Sequence, residues 1–187
     1  MILLDSELEP DPARRRPEIS ARALGNFLRR AQSAVRLRGE VSILLTTNRA
    51  IRRLNRQYRG KNKATDVLSF PVDDPVQNQE KIAGDLAISV DMARKQSAEH
   101  GHSLTCELEV LILHGLLHLA GYDHEIDNGR MARRECQLRA RLGLPLGLIE
   151  RAANDRSRSK RNRIERKRRS KLGTPGINRP LVGDARQ

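Results

Sequence analysis

An apolar stretch at residues 108–120 constrains the fold of this chain more than any other feature. Glu109 and two histidines interrupt the stretch, and it falls short of the roughly 20 residues that a membrane-spanning helix needs. It therefore predicts a helix of a globular domain. Ser103 can cap this helix at its N-terminus. Gly121 stands where the helix must stop, because a glycine accepts the left-handed conformation that turns the chain back.

The rest of the hydrophobic pattern predicts few strands among a larger number of helices. Strands are predicted at residues 41–47, 65–72 and 82–90, and further helices near residues 18–38, 48–58, 91–99 and 128–142. Asn48 is expected to cap the second of these helices, which Gly60 ends. The arrangement favours an α+β fold with a single small mixed β-sheet of about four strands covered by helices.

The positive charge of the chain is concentrated at its C-terminal end. Residues 151–187 hold 13 Lys or Arg and three acidic residues, whereas residues 1–150 hold 23 basic and 20 acidic residues. From residue 154 onward there are too few apolar residues to offset the entropy of ordering the chain. We therefore expect one folded domain at residues 1–153 and a basic, disordered tail at residues 154–187. The tail either neutralises several RNA phosphates or is a solubilising extension.

Composition also bears on compartment and on binding mode. Aromatic residues make up 2% of the chain, which disfavours a sheet that stacks nucleotide bases on a row of aromatic rings. Cys106 and Cys136 are the only cysteines, so no disulfide framework is implied. Residues 1–4 are too short for the core of a signal peptide. We expect a soluble, cytoplasmic protein with no membrane partner.

Three of the five histidines lie close together, in the segment HGLLHLAGYDH at residues 114–124. His114 and His118 are one turn apart on the predicted helix and share a face. The turn at Gly121 can bring His124 to the same point. This spacing predicts a zinc-binding helix–turn, and three nitrogen ligands leave a fourth position open, as in catalytic sites. The alternative is that the histidines merely lie on a helix face, where each buried imidazole would need a polar partner.

The residue after the first histidine separates two kinds of zinc enzyme. A zinc protease of the H-E-x-x-H type carries its general base, a glutamate, at this position. Here the position is Gly115, which disfavours a protease. Asp123 and Glu125 flank the third histidine. In one interpretation they orient an imidazole or transfer a proton; in the other they are ordinary loop carboxylates. Cys106 is expected to be a core thiol rather than a fourth ligand.

Three blocks of the sequence resemble the bacterial YbeY family of metal-dependent endoribonucleases, which act in rRNA maturation. The first is HGLLHLAGYDH, the second includes Tyr58-Arg59-Gly60-Lys61 and TDVLSFP at residues 65–71, and the third is GDLAIS at residues 84–89. The resemblance spans roughly residues 40–145 in the same order. Asn62 and Ala64 depart from the family pattern, which has Asp and Pro there.

The resemblance implies a site and an activity. It implies that His114, His118 and His124 bind one zinc ion per chain and that Arg59 and His114 are catalytic, with Arg59 and Lys61 contacting RNA. The implied activity is cleavage of single-stranded RNA, in maturation of the 3′ end of small-subunit rRNA and in ribosome quality control, with the ribosome or its associated proteins as partners.

Two other functions remain open at this point. One is a non-catalytic, zinc-stabilised RNA-binding factor for ribosome assembly, with Cys106 or Asp123 closing the metal site as fourth ligand. The other is the disfavoured metalloprotease. The oligomeric state and the nucleophile, water or the ribose 2′-hydroxyl, do not follow from the sequence.

Overall fold

A computed structural model describes residues 1–8, 19–72 and 82–145. Within those residues the chain forms four strands and five helices. In chain order they are β1 (Ile2–Leu4), α1 (Ala21–Val35), β2 (Glu40–Thr46), α2 (Asn48–Arg59), β3 (Val67–Pro71), β4 (Ile82–Ser89), α3 (Val90–His100), α4 (Leu104–Leu119) and α5 (Arg130–Leu142).

The four strands form one mixed sheet in the order β1-β2-β4-β3. Strands β1, β2 and β4 are parallel, with Ile43 opposite Leu86, whereas β3 runs antiparallel to β4. Helices connect the parallel strands, as the geometry of a parallel pair requires. The predicted α+β fold with one small mixed sheet covered by helices is confirmed.

The structure adds one strand that the sequence did not locate, and it corrects one predicted helix cap. Residues 2–4 form the edge strand β1, which pairs with β2 from Ile2 to Leu4; three residues are too few to show the alternation that predicts a strand. The prediction that Asn48 caps α2 is wrong, because the Thr47 side chain accepts the hydrogen bond from the Ala50 amide at 3.2 Å. Asn48 is the first helical residue, and its side-chain oxygen accepts a hydrogen bond from the Ser89 hydroxyl.

Two further predictions concern the C-terminal tail and the possibility of a membrane-spanning helix. The tail at residues 154–187 and its boundary at residue 153 lie outside the described residues and stay predictions. In the part of the chain that is described, no helix combines the length and the apolar character needed to cross a membrane.

Helix α4 lies at the centre of the core. From Val110 to Leu117 all its residues are buried, and it contacts α1, α3, α5, β3 and β4. Gly115 lies close against the sheet: a Cβ atom there would lie 2.7 and 2.9 Å from the two methyl carbons of Leu86 on β4. The missing side chain at residue 115 therefore sets the distance between α4 and the sheet.

We predict that G115A destabilises the fold by about 1–3 kcal/mol, because the added methyl group overpacks a core that is already filled. Chemical denaturation would measure this loss. G115A should cost less stability in a chain that already carries L86A, since Leu86 is the group that must move. The control is G25A in α1, where a Cβ meets nothing within 4 Å. That change should stabilise the helix by about 0.5–1 kcal/mol. Destabilisation by G115A that L86A leaves unchanged would contradict the prediction.

Candidate metal centre

The end of α4 brings the three histidines together. The N-cap is Ser103, as predicted, and the helix ends in a turn in which Gly121 has a φ of +84°. The Gly121 amide donates to the His118 carbonyl at 2.9 Å and the Tyr122 amide to the Leu117 carbonyl at 3.0 Å. These bonds are typical of a helix end closed by a left-handed glycine. The chain reverses there and returns His124 to the side of α4 that carries the other two histidines.

The three imidazole rings converge on one point. Their centroids are 4.9–5.5 Å apart, and one nitrogen of each ring lies within 4.8 Å of the others. The Nε2 atoms of His114 and His118 are separated by 3.2 Å. Two nitrogens bound to a tetrahedral zinc at about 2.0–2.1 Å would be about 3.3 Å apart. The spacing of the residues present therefore fits a metal ion.

A buried carboxylate fixes the orientation of His114. Glu135 on α5 is 1% exposed, and its Oε2 atom lies 3.1 Å from Nδ1 of His114. Nδ1–H donates to this carboxylate, so the lone pair of His114 is on Nε2, the atom that faces His118. A carboxylate behind a metal-binding histidine is a common arrangement in zinc sites. Arg139 donates from Nε to Oε1 of Glu135 at 3.0 Å and is itself buried.

Sequence reasoning missed Glu135, which is 21 residues from His114 in the chain. The signal that could have found it is a charged residue on an apolar helix face. Met131 and Leu138 bury the same face of α5, and a carboxylate at helical spacing between them requires a buried partner. The pattern does not say which partner, because that depends on how α5 packs against α4.

Every site residue predicted from the sequence lines one cleft of about 600 Å³. The residues that line it come from α2 and the segment after it, from β3, and from the end of α4 with the turn that follows. The lining side chains that carry charge or can bind a metal are Arg59, Lys61, Asp66, His114, His118, Asp123, His124 and Glu125. The structure thus brings Arg59 and Lys61 together with the histidines, and the roles assigned to them stay predictions.

The electrostatics of the cleft favour the neutral form of His118. Burial lowers the pKa of His118 to about 4, helped by the neighbouring His114 and His124 rings and by the Arg59 guanidinium, while Asp123 opposes the shift. A neutral imidazole at neutral pH is the form that binds a metal ion. Asp123 also has a local role, since its Oδ1 atom accepts a hydrogen bond from the Glu125 amide at 3.0 Å.

Two candidate fourth ligands do not join the cluster. Among the described residues, the three histidines are the only group of potential ligands whose atoms converge. Cys106 precedes His114 by eight residues, about 12 Å along the helix axis, and does not line the cleft. Asp123 lines the cleft, but its oxygens are not among the converging atoms. The described residues therefore offer three potential ligands, which would leave the fourth position of a tetrahedral metal ion open.

An α+β domain with three converging histidines beside arginine and lysine side chains has the features of a metalloenzyme for an anionic substrate. A sequence profile of the family Endoribonuclease YbeY matches residues 14–143. A protein of Koribacter versatilis named endoribonuclease YbeY is 52% identical over 133 residues, which cover 71% of this chain and 84% of that protein. A Solibacter usitatus protein of the same name is 50% identical over 129 residues, which cover 69% of this chain and 84% of the Solibacter protein.

The chain belongs to the endoribonuclease YbeY family, and the resemblance predicted from the three sequence blocks is confirmed. A solution structure of a Thermotoga maritima protein is 26% identical and has a TM-score of 0.45, with 72% of this chain and 84% of that chain covered. The family assignment rests on the sequence profile and the sequence relatives.

We predict that E135Q weakens metal binding about 10- to 100-fold, because an amide no longer holds the proton of His114 on Nδ1. Competition with a chromophoric chelator would measure the affinity, and E135D, which keeps the charge, should restore part of it. The control is E107Q, which alters a buried carboxylate bonded to His102, a histidine outside the cluster. Equal weakening by E135Q and E107Q would contradict a positioning role for Glu135.

A second prediction concerns acid stability of the protein after its metal is removed with a chelator. Above about pH 6.5 His118 is neutral in both the folded and the unfolded chain. Between pH 6.5 and pH 4 the unfolded chain binds a proton that folded His118, with a pKa of about 4, does not bind. Unfolding is therefore favoured as the pH falls through this window, and the thermal midpoint should decrease.

The variant H118N isolates this contribution, because it removes the titrating ring. Thermal scans of both metal-free proteins from pH 7 to pH 4 should give a smaller decrease for H118N than for the original chain. Identical decreases would show that the His118 ring does not titrate as described.

Proposed function

We propose that this protein is a zinc-dependent endoribonuclease that cleaves single-stranded RNA. One observation carries the proposal: three histidines with an open fourth position lie in the same cleft as Arg59, in a chain of the endoribonuclease YbeY family. We further propose that its substrate is the precursor of small-subunit rRNA at the 3′ end, and that it acts in the cytoplasm, in ribosome quality control and with ribosomal partners. The family resemblance supports these finer points.

The histidine side chains hold and orient the metal. His114 and His118 offer Nε2 lone pairs from a rigid helix, and His124 closes the set from the turn. Zinc bound by three histidines supplies Lewis-acid chemistry at a phosphoryl oxygen and lowers the pKa of water. Because Glu135 and Arg139 are buried behind His114, the orientation of that ring is set before any substrate arrives.

Arg59 provides the second cation of the proposed mechanism. Negative charge builds up on the phosphoryl oxygens as the nucleophile adds to phosphorus, and a fixed cation nearby stabilises it. The planar guanidinium can donate two parallel hydrogen bonds to a phosphate. Arg59 is the last residue of α2 and lines the cleft that the histidines also line. Lys61 lines the same cleft and would bind a neighbouring phosphate.

The position of Gly115 supports RNA cleavage over proteolysis. In zinc proteases the general base follows the first histidine. Here that position faces Leu86 at distances below 3 Å for a Cβ atom, so the fold leaves no room for a glutamate directed at the metal. Asp123 and Glu125 are the carboxylates on the histidine side of the cleft. Asp123 is the proposed proton acceptor. It lies close enough to His118 for its charge to oppose the lowering of the His118 pKa.

The open ligand position supports an enzyme over a non-catalytic RNA-binding factor. A metal that only stabilises a fold is usually enclosed by four protein ligands. The described residues supply three, and the cleft above them has a volume of about 600 Å³.

The decisive experiment incubates zinc-loaded protein with a single-stranded RNA and with an unfolded protein. We expect internal cuts in the RNA, none in the protein, loss of cutting with a chelator and recovery on adding zinc. The triple variant H114A/H118A/H124A should bind no metal by elemental analysis and cut nothing, whereas H100A, outside the cluster, should behave as the original chain. A 2′,3′-cyclic phosphate end would identify the ribose hydroxyl as nucleophile. RNA cleavage that persists in the triple variant would overturn the proposal.

We predict that R59K lowers the cleavage rate about 10²–10³-fold, the cost of removing one oriented donor from the transition state. RNA affinity should change far less, because lysine keeps the charge but loses the planar fork. Single-turnover kinetics and binding of an uncleavable RNA would separate the two. Equal losses in binding and cleavage would make Arg59 a docking residue, and R38K on a distant loop serves as the control.

A further inference from the structure

Helix α2 carries more positive charge than the fold requires. Its twelve residues include five arginines and no acidic residue. Residues 1–150 as a whole hold 23 basic and 20 acidic residues, so the absence of acids from α2 does not follow from average composition. The segment after the helix adds Lys61 and Lys63 before the next acidic residue, Asp66.

The arginines share one face of the helix. At 3.6 residues per turn, the opposite face consists of Ala50, Ile51 and Leu54, which pack toward the sheet. The side chains of the other face are all exposed, and we call it the arginine face; its members are Arg49, Arg52, Arg53, Arg56 and Arg59. From Arg49 to Arg59 it is about 15 Å long, at a rise of 1.5 Å per residue.

The described part of the chain leaves most of the charge on the arginine face uncompensated. Among the described residues, the ion pair of Arg53 with Glu7 at 3.1 Å is the only one that this face makes. Arg52 donates from Nε to the neutral Asn62 side chain at 2.8 Å, which orients the guanidinium without neutralising it. Arg49, Arg52, Arg56 and Arg59 therefore present four positive charges to solvent.

Much of the arginine face does not stabilise its own helix. Arginines three or four residues apart on one face repel each other. Arg49 also lies in the first turn, where the positive end of the helix dipole disfavours a cation, and that turn has no acidic residue. Only Arg56 and Arg59, in the last turn, lie where the helix dipole favours a cation. An anion with several charges lying along the helix would stabilise the rest of the arginine face.

The arginine face continues from the metal cleft. Arg59 lines the cleft, and the other four arginines line a neighbouring depression together with Asn62 and Lys63. Residues 61–63 separate the two hollows and contribute a lysine to each. A chain of phosphates that occupied the cleft could extend along α2 without crossing an acidic surface.

We propose that the arginine face of α2 binds the backbone of the RNA strand that extends out of the cleft. This inference rests on the proposed function, because it takes RNA as the substrate. Guanidinium groups pair with phosphates in a two-pronged geometry that suits the exposed arginines. The contacts are to the backbone, so the arginine face increases affinity for longer strands and does not select a base sequence.

The test compares two triple variants of the full-length, zinc-loaded protein. R49Q/R52Q/R56Q neutralises the arginine face and leaves Arg59 in place. R22Q/R29Q/R38Q removes the same charge from exposed arginines that line neither hollow. Both retain the basic tail, so any difference between them comes from the position of the charge. Thermal scans would establish that both variants are folded. If R49Q/R52Q/R56Q does not fold, the single variants R49Q and R56Q replace it in the test.

The measured quantity is the salt dependence of binding to a long uncleavable single strand. Each lost phosphate contact reduces the slope of log K against log salt by about 0.7. The α2 variant, R49Q/R52Q/R56Q, would lose three such contacts. When salt rises from 50 to 200 mM, the RNA affinity of the original chain should therefore fall about 20-fold more than the affinity of this variant. The control variant should keep the original slope. Cleavage of a trinucleotide, too short to extend beyond Arg59 to Arg49, Arg52 and Arg56, should be unchanged in both variants.

The outcomes separate this inference from the proposed function. If the original chain neither binds nor cleaves RNA, both fail. If it cleaves RNA and the α2 variant has the original slope, only the arginine face is excluded. The inference also fails if both variants lose slope equally, since the effect would then be one of net charge. A different result would assign the arginine face to a membrane instead: only the α2 variant loses binding to vesicles with anionic lipid, while its salt slope for RNA is unchanged.

Discussion

The close contact between α4 and the sheet is the constraint on which the rest of the structure depends. Gly115 lets the helix approach Leu86 of β4 closely enough that a side chain would not fit. The helix is then buried along most of its length, and only the two turns at its C-terminal end reach the cleft. The histidines lie at this end, where an apolar scaffold holds them rigidly and the fourth metal position remains accessible. The same contact removes the position at which a zinc protease carries its base.

Packing of α5 against the core completes the metal site from behind. Met131 and Leu138 bury one face of this helix, and that face places Glu135 against His114 at 3.1 Å. The buried Arg139 neutralises Glu135 from the next turn. A carboxylate would be costly at this depth without both partners. A metal ion held by the histidines would therefore depend on the same few contacts as the docking of α5, which would couple metal binding to folding.

The cleft is formed by two surfaces of different chemical character. The histidine side is built on the core, and burial lowers the pKa of the His118 ring to about 4, which keeps that ring neutral at neutral pH. The α2 side is cationic and exposed, with Arg59 at its inner end and Lys61 beside it. A phosphodiester between them would meet metal chemistry on one side and positive charge on the other. This division explains why so few residues suffice for the proposed reaction.

The sequence by itself determined the features that depend on neighbours in the chain. Helical spacing placed His114 and His118 on one face, Ser103 and Gly121 marked the ends of α4, and the family blocks indicated Arg59. Only the tertiary structure decided that β1 joins the sheet and that Glu135 lies behind His114. It also decided that Arg59 and the histidines, more than 50 residues apart, share a cleft. Capping and periodicity are local and can be read from a short window, whereas a pairing partner is fixed by how distant elements pack, which no local pattern encodes.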